Sequence, residues 1–150
     1  MPTRLDPQPP FRSPDGVRTP SQSRGEYIFN VPAKCASCHK GEQTTDNLWH
    51  GVGSFAQSTD GSFRDEFTIP DSNDPTQGPG VNTPSLSDLW FTGPYYHDGR
   101  YDTVEERLNR SNPENSIYAG SGTAKYGQHG DFSQLSDADL ADLAAYLRTL

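Results

Sequence analysis

Apolar residues recur at helical spacing most clearly at the end of the chain. Leucines and one alanine lie three or four residues apart there: Leu140, Leu143, Ala144, Leu147 and Leu150. Ser136 precedes them, with Asp139 three residues later, and this pairing is typical of a capped helix start. The segment therefore predicts an amphipathic helix whose apolar face packs into the core.

Three shorter segments carry weaker helix signals. Residues 23–30 contain a cluster of three apolar side chains and predict a first short helix. Thr83 followed by Pro84 predicts a second, because threonine can cap a helix and proline suits its first position. Residues 102–106 predict a third, since their acidic side chains would fall in a first turn, where the helix dipole favours negative charge.

The remaining segments are polar and rich in turn-forming residues. Residues 41–82 contain Asp-Gly, Pro-Asp and Gly-Pro-Gly sequences, so we expect loop there with at most a brief strand pair. Residues 111–134 also predict loop. Residues 1–22 are proline-rich and predict an extended linker or arm, which leaves residues 23–150 as the folded domain.

The composition indicates a small aliphatic core. Hydrophobic residues make up 31% of the 150 residues, and the chain has 14 glycines and 13 prolines. Globular domains usually reach about 45–50% apolar residues, counting glycine. This shortage favours a fold in which a large apolar cofactor fills the centre.

The charge of the chain limits its partners. The formal net charge is −8, which argues against binding to nucleic acid phosphates or to an anionic membrane surface. It would suit a basic protein partner, or it keeps the protein soluble. No apolar run is long enough to span a bilayer.

Candidate chemistry is concentrated in the pentapeptide Cys-Ala-Ser-Cys-His at residues 35–39. Two thiols separated by two residues can reach the two vinyl groups of one porphyrin, and the adjacent His39 then lies under the iron. The two cysteines are the only ones in the chain, so a second cysteine pair for a zinc finger is missing. A thioredoxin-like redox pair would need a parallel α/β pattern that the sequence does not show. The motif predicts one covalent haem c, held by Cys35 and Cys38, with His39 as the proximal iron ligand.

The surroundings of this motif resemble the second, C-terminal haem domain of the bacterial di-haem cytochrome c peroxidase and MauG family. The matching stretches occur in the same order along residues 24–150: RGEYIF at 24–29, CASCH at 35–39, TDNLWHGVG at 45–53, NTPSL at 82–86, FTGPYYHDG at 91–99, TVEE at 103–106 and the helix at 135–150. The resemblance implies a mostly α, cytochrome c-like domain in which a few short helices and long loops wrap around the haem. It also implies export to the periplasm or the outside of the cell.

The same resemblance implies an electron-relay role, because the second-domain haem of the peroxidases passes electrons to a peroxide-reducing haem in the first domain. Expected partners are redox proteins, a larger redox assembly or an upstream haem domain. The backbone carbonyls of Thr92 and Pro94 match positions that help to bind calcium between the two domains of the peroxidases, so calcium is a second expected ligand.

The distal iron ligand departs from the family pattern. The peroxidases use methionine and MauG uses tyrosine near the position of Ser111, which cannot ligate iron. Family members also commonly carry arginine where this chain has Ser87. The remaining candidates are the other histidines and two loop tyrosines, namely His50, His97, His129, Tyr118 and Tyr126. We favour His129, because neutral imidazole is a common haem ligand and the related rubber oxygenases suggest a bis-histidine second haem.

Two functions follow from these residues. A six-coordinate iron favours a monohaem electron-transfer module. An open iron position, or a missing catalytic domain, would instead make the chain part of a peroxidase- or oxygenase-type enzyme.

Overall fold

The computed structural model describes residues 11–50, 69–70, 79–96, 99–109, 129–130, 132 and 134–150. Its elements follow in chain order: α1 (Pro20–Asn30), a 3₁₀ turn (Cys35–Ser37), β1 (Trp49–His50), β2 (Ile69–Pro70), β3 (Pro79–Asn82), α2 (Val104–Leu108) and α3 (Asp137–Leu147). The described part of the chain thus agrees with the predicted class of a few short helices joined by long loops. None of its helices is long and apolar enough to cross a membrane.

Helix α1 begins at Pro20, earlier than the predicted start near Ser23. Thr19 caps it: its hydroxyl accepts the Gln22 N–H, and the Gln22 side chain accepts the Thr19 N–H in return. Pro20 occupies the first turn, where its missing N–H leaves no hydrogen bond unmade. The proline-rich composition of residues 1–22 predicted extended chain up to the helix, but Pro20 is at a helix start, where proline is favoured.

The core forms where α1 packs against α3. Ile28 and Leu143 are fully buried, and the Phe29 and Tyr146 rings meet edge to face with centroids 5.4 Å apart. Gly25 makes this approach possible, because a Cβ there would lie 2.0 Å from the Asp142 carbonyl oxygen. Helix α3 itself confirms the predicted amphipathic helix.

Helix α2 is also confirmed, and a capping box fixes its start. The Thr103 hydroxyl accepts the Glu106 N–H, while the Glu106 side chain accepts the Thr103 N–H. Val104 and Leu108 are buried in the core, and Arg107 is buried beside them. The short helix is therefore held at its N-terminus and along its inner face.

The helix predicted at Thr83 is wrong, since the described residues 83–96 form turns and extended chain. The Thr83 N–H and hydroxyl both donate to the Leu48 carbonyl oxygen, at 2.9 and 3.3 Å, and the Thr45 hydroxyl donates to the Thr83 carbonyl. Long-range hydrogen bonds to the loop after residue 39 thus use the groups that would cap and begin a helix. Local capping preference is outweighed by these contacts.

Three short strands form an antiparallel sheet in the order β1-β3-β2. Trp49 pairs with Asn82, and Ile69 pairs with Gly80. The sequence predicted at most a strand pair, because these strands are short and contain glycine and proline, which are poor strand formers. The sheet closes the loop that follows residue 39.

Asp46 organises that loop. Its side chain is only 5% exposed and lies 2.9 Å from His50 Nε2, and it accepts the Leu48 N–H. Burial alone would raise the pKa of this carboxyl, but hydrogen bonds from Leu48, His50 and Thr83 lower it to about 2. The ionised carboxylate therefore stabilises the folded loop.

The Gly25→Ala variant is expected to lose about 3 kcal/mol of unfolding free energy, because the added methyl group would force α1 and α3 apart. Denaturant unfolding followed by circular dichroism measures the loss. Ser23→Ala, at an exposed position of the same helix, is the control and should stay near the wild type. Equal stability of the two variants would contradict the close packing at Gly25.

The Asp46→Asn variant tests the buried carboxylate. The folded-state pKa of about 2 lies below the ordinary 3.8, so the stabilisation is present above pH 4 and disappears as the pH falls towards 2. We expect the variant to be less stable than the wild type by about 1 kcal/mol at neutral pH, with the difference shrinking in acid. Glu42→Gln, an exposed acid in the same loop, is the control. A difference that does not change between neutral pH and pH 2 would count against this assignment.

Candidate functional site

The chain that follows α1 places the cysteine-histidine motif beside the core. Ala33 is fully buried, and its N–H donates to the Ile28 carbonyl at 3.0 Å, just beyond the helix. Lys34 then adopts a left-handed conformation with φ of 57° and begins the 3₁₀ turn. The His39 N–H donates to the Cys35 carbonyl at 3.0 Å, so one tight turn brings both thiols and the imidazole together.

Both cysteines are free thiols and half-buried. Burial raises the pKa of Cys35 to about 12, although the positive charge of Arg107 opposes the shift. Cys35 is therefore a protonated thiol at neutral pH. A protonated thiol can add across a vinyl group to form a thioether, the S–H proton going to the second vinyl carbon.

His39 is buried, and its orientation is fixed from the backbone. Its Nδ1 lies 3.1 Å from the Thr44 carbonyl oxygen, which can only accept, so Nδ1 carries the proton of the neutral ring. Burial lowers the pKa of His39, which keeps the ring neutral. A neutral imidazole whose other nitrogen donates to a carbonyl is the usual form of a metal-ligating histidine.

His129 lies next to His39 although the two residues are far apart in the sequence. Their ring centroids are 6.2 Å apart, with an angle of 41° between the ring planes. Imidazole nitrogens bind metals at about 2 Å, so two imidazoles on opposite sides of one metal have centroids about 6 Å apart. The residues present therefore fit an iron between them. Burial, and then the nearby Arg107 and His39, hold the pKa of His129 well below its usual value, so this ring is neutral too.

Two side chains contact the Nδ1 atom of the His129 ring. The Tyr96 hydroxyl lies 3.0 Å from His129 Nδ1, and Arg107 Nη2 lies 2.8 Å from the same atom. Both contacts engage Nδ1, so His129 would hold a metal through Nε2, which would have to give up its proton. Gly130 follows with φ of +86°, and a Cβ there would lie 3.0 Å from the Phe132 ring, so glycine lets the chain pass this ring closely.

His50, another sequence candidate, has a different role. It pairs with Asp46 and so orders the loop. Among the described residues, the one group of three His, Cys, Asp or Glu side chains close enough to share a metal is Cys38, Asp46 and His50, with ligand atoms within 4.8 Å of one another. The further candidates His97, Tyr118 and Tyr126 lie outside the described residues, as does Ser111.

Thr92 and Pro94, the predicted calcium positions, lie in an exposed turn. The Gly93–Pro94 peptide in this turn is cis. The calcium site stays a prediction.

Sequence reasoning missed Tyr96 and Arg107. Arg107 lies between Val104 and Leu108, at a spacing that places all three on one helix face, so a charged residue on an apolar face was the available signal. Tyr96 takes a positive φ of 74°, which is uncommon for a bulky residue and which no sequence signal at this position predicted.

A cytochrome c family profile matches residues 22–150 of the chain. Hydrazine synthase subunit gamma of Kuenenia stuttgartiensis is 30% identical over 167 residues, which cover 94% of this chain and 44% of that protein. The methylamine utilization protein MauG of Methylorubrum extorquens is 32% identical, covering 85% of this chain and 33% of its own length. Cytochrome-c peroxidase IdrP1 of Denitromonas iodatirespirans is 25% identical, covering 85% and 39%.

A solved structure of the Kuenenia stuttgartiensis hydrazine synthase has the same fold, with a TM-score of 0.65 and 27% identity over 94% of this chain and 49% of that one. The chain spans less than half the length of the curated relatives it matches. The family resemblance predicted from the sequence is confirmed, and so is a cytochrome c fold. The chain belongs to the cytochrome c family, among the relatives of MauG and the di-haem cytochrome c peroxidases, and membership of that family implies a covalently bound haem c.

Proposed function

We propose that this chain is a monohaem electron-transfer module with a bis-histidine haem c. The observation that carries the proposal is the 6.2 Å separation of the His39 and His129 rings, which would allow both imidazoles to hold one iron. Haem supplies reversible one-electron chemistry when bound. The residues of the chain hold it, orient it and restrict access to the iron.

Cys35 and Cys38 hold the haem covalently in this proposal. Cys35 begins the 3₁₀ turn and Cys38 follows it, directly before His39, so the attachment points and the proximal ligand belong to one short stretch of backbone. Covalent attachment suits a domain with little aliphatic core, because the haem cannot leave when the loops around it open.

His39 and His129 would both hold the iron in this proposal. Two imidazole ligands leave no position for peroxide or oxygen, and they lower the reduction potential relative to a histidine and methionine pair. The protein then moves electrons without binding a substrate at the metal. This is the property expected of a relay.

The setting of the relay follows from the relatives. Because the chain spans less than half of their length, we propose that it works beside another haem domain or within a larger redox assembly, in the periplasm or outside the cell. Its net charge of −8 favours a basic redox partner through electrostatic steering.

A second candidate function is part of a peroxidase- or oxygenase-type enzyme. The match to a cytochrome-c peroxidase favours it. In this case the iron has an open position, or a catalytic domain elsewhere completes the reaction. The two candidates differ in whether an external ligand reaches the iron.

Carbon monoxide tests the proposed distal ligand. We expect the visible spectrum of the dithionite-reduced wild type to stay unchanged when CO is added, because His129 occupies the sixth position. His129→Ala should bind CO and shift its Soret band, since alanine cannot ligate iron. His50→Ala is the matched control, because it removes a histidine that pairs with Asp46, and it should behave as the wild type.

Fast binding of CO by the reduced wild type would support the second candidate function, a peroxidase- or oxygenase-type enzyme. Peroxide reduction by the same protein, with a reduced donor cytochrome, would then be the next assay. Wild-type resistance to CO that persists in His129→Ala would show that another residue is the distal ligand.

Covalent attachment is tested with cysteine variants. Cys35→Ser combined with Cys38→Ser should lose haem in a denaturing gel stained for haem, while either single variant keeps it through one thioether with a shifted pyridine haemochrome band. Ser37→Ala, in the same turn, should match the wild type. Haem that stays bound to the denatured double variant would refute the attachment through these thiols.

A further inference from the structure

Arg107 is a charged side chain on the apolar face of α2. The residue is 9% exposed, about as buried as its neighbours Val104 at 7% and Leu108 at 6%. Arginine is rarely this buried unless its guanidinium is engaged by other groups. Its position therefore indicates a specific role for the guanidinium inside the domain.

Among the described residues, the guanidinium of Arg107 makes two polar contacts with His129. Nη2 lies 2.8 Å from His129 Nδ1 and 3.2 Å from the carbonyl oxygen of the same residue. The planar group also lies over the Tyr96 ring at 4.9 Å and the Phe132 ring at 5.7 Å. One side chain thus contacts the ring of His129, its backbone and two of the aromatic residues around it.

We propose that Arg107 is the positioning residue of the distal ligand, holding His129 at the distance from His39 that a haem iron requires. This inference rests on the proposed ligation by His129. Helix α2 is fixed by its capping box and by its buried face, so Arg107 links the position of this helix to that of His129.

The contact with Arg107 determines which nitrogen of the His129 ring carries the proton. A guanidinium only donates, so Nδ1 accepts from Arg107 and the ring proton lies on Nε2. A ring that held a metal through Nε2 would carry its proton on Nδ1, where the Tyr96 oxygen could accept it. Arg107 keeps its hydrogen bond to the His129 carbonyl, which anchors the backbone.

Arg107→Leu tests the inference in the haem-loaded protein. We expect the reduced variant to bind CO at least about tenfold faster than the wild type, as the loss of a residue that supports a metal ligand typically costs ten- to a hundredfold in metal affinity. The oxidised variant should also gain a high-spin absorption band. Haem content and far-UV circular dichroism are recorded in parallel and should stay unchanged.

Arg100→Leu is the matched control. Arg100 carries the same charge and lies over the same Tyr96 ring, at 5.6 Å, but it is exposed. It should bind CO as slowly as the wild type. An equal rise in both variants would overturn the inference, because it would reflect loss of charge near Tyr96 rather than loss of the contacts to His129.

The His129→Ala variant distinguishes iron ligation by His129 from the positioning role of Arg107. If it binds CO freely while Arg107→Leu behaves as the wild type, the ligation stands and the positioning role is wrong. If the wild type binds CO as freely as His129→Ala, the ligation itself fails and the positioning role fails with it. If the leucine variant does not accumulate with haem, Arg107→Met decides, because methionine has a similar length but no N–H to donate, and a wild-type CO rate in that variant would overturn the inference.

Discussion

The close approach of α1 and α3 is the contact on which the rest of the domain depends. It is possible because Gly25 has no side chain to collide with the Asp142 backbone, and it buries Ile28 and Leu143 completely. The end of α1 leads directly into the turn that carries both cysteines and His39. The packing of α1 against α3 therefore sets the position of the turn that carries the two cysteines and His39.

The two histidines are supported in different ways. His39 donates from Nδ1 to the Thr44 carbonyl, a contact that strengthens an imidazole as a metal ligand. His129 faces a cation and a hydroxyl at the same ring atom. In the proposed site, the proximal ligand is made firm by the backbone, while the distal ligand depends on side chains of α2 and of the chain after residue 94. A change in the distal side chains would thus affect the access of ligands to the iron and leave the proximal side intact.

The sequence predicted the parts of this structure that depend on local signals. Helix α3 was predictable from the sequence because its leucines repeat at helical spacing after a capping pair. Helix α2 was predictable because acidic residues begin it. Thr83 misled the prediction, since its hydrogen bonds reach back to Leu48 and no local pattern reports such a partner. The proximity of His129 to His39 and the part played by Arg107 depend on long-range packing. The motif and the elimination of other ligands could suggest His129, but only the fold places the two rings 6.2 Å apart.

The surroundings of the half-buried Cys35 thiol protect it from oxidation. Disulfides form through the thiolate, and the more of a cysteine that is ionised, the faster it reacts with an oxidant. With a pKa of about 12, Cys35 is almost entirely protonated at neutral pH. Cys35 would therefore be slow to form a disulfide with Cys38, even in an oxidising compartment. Both sulfurs would stay available for maturation.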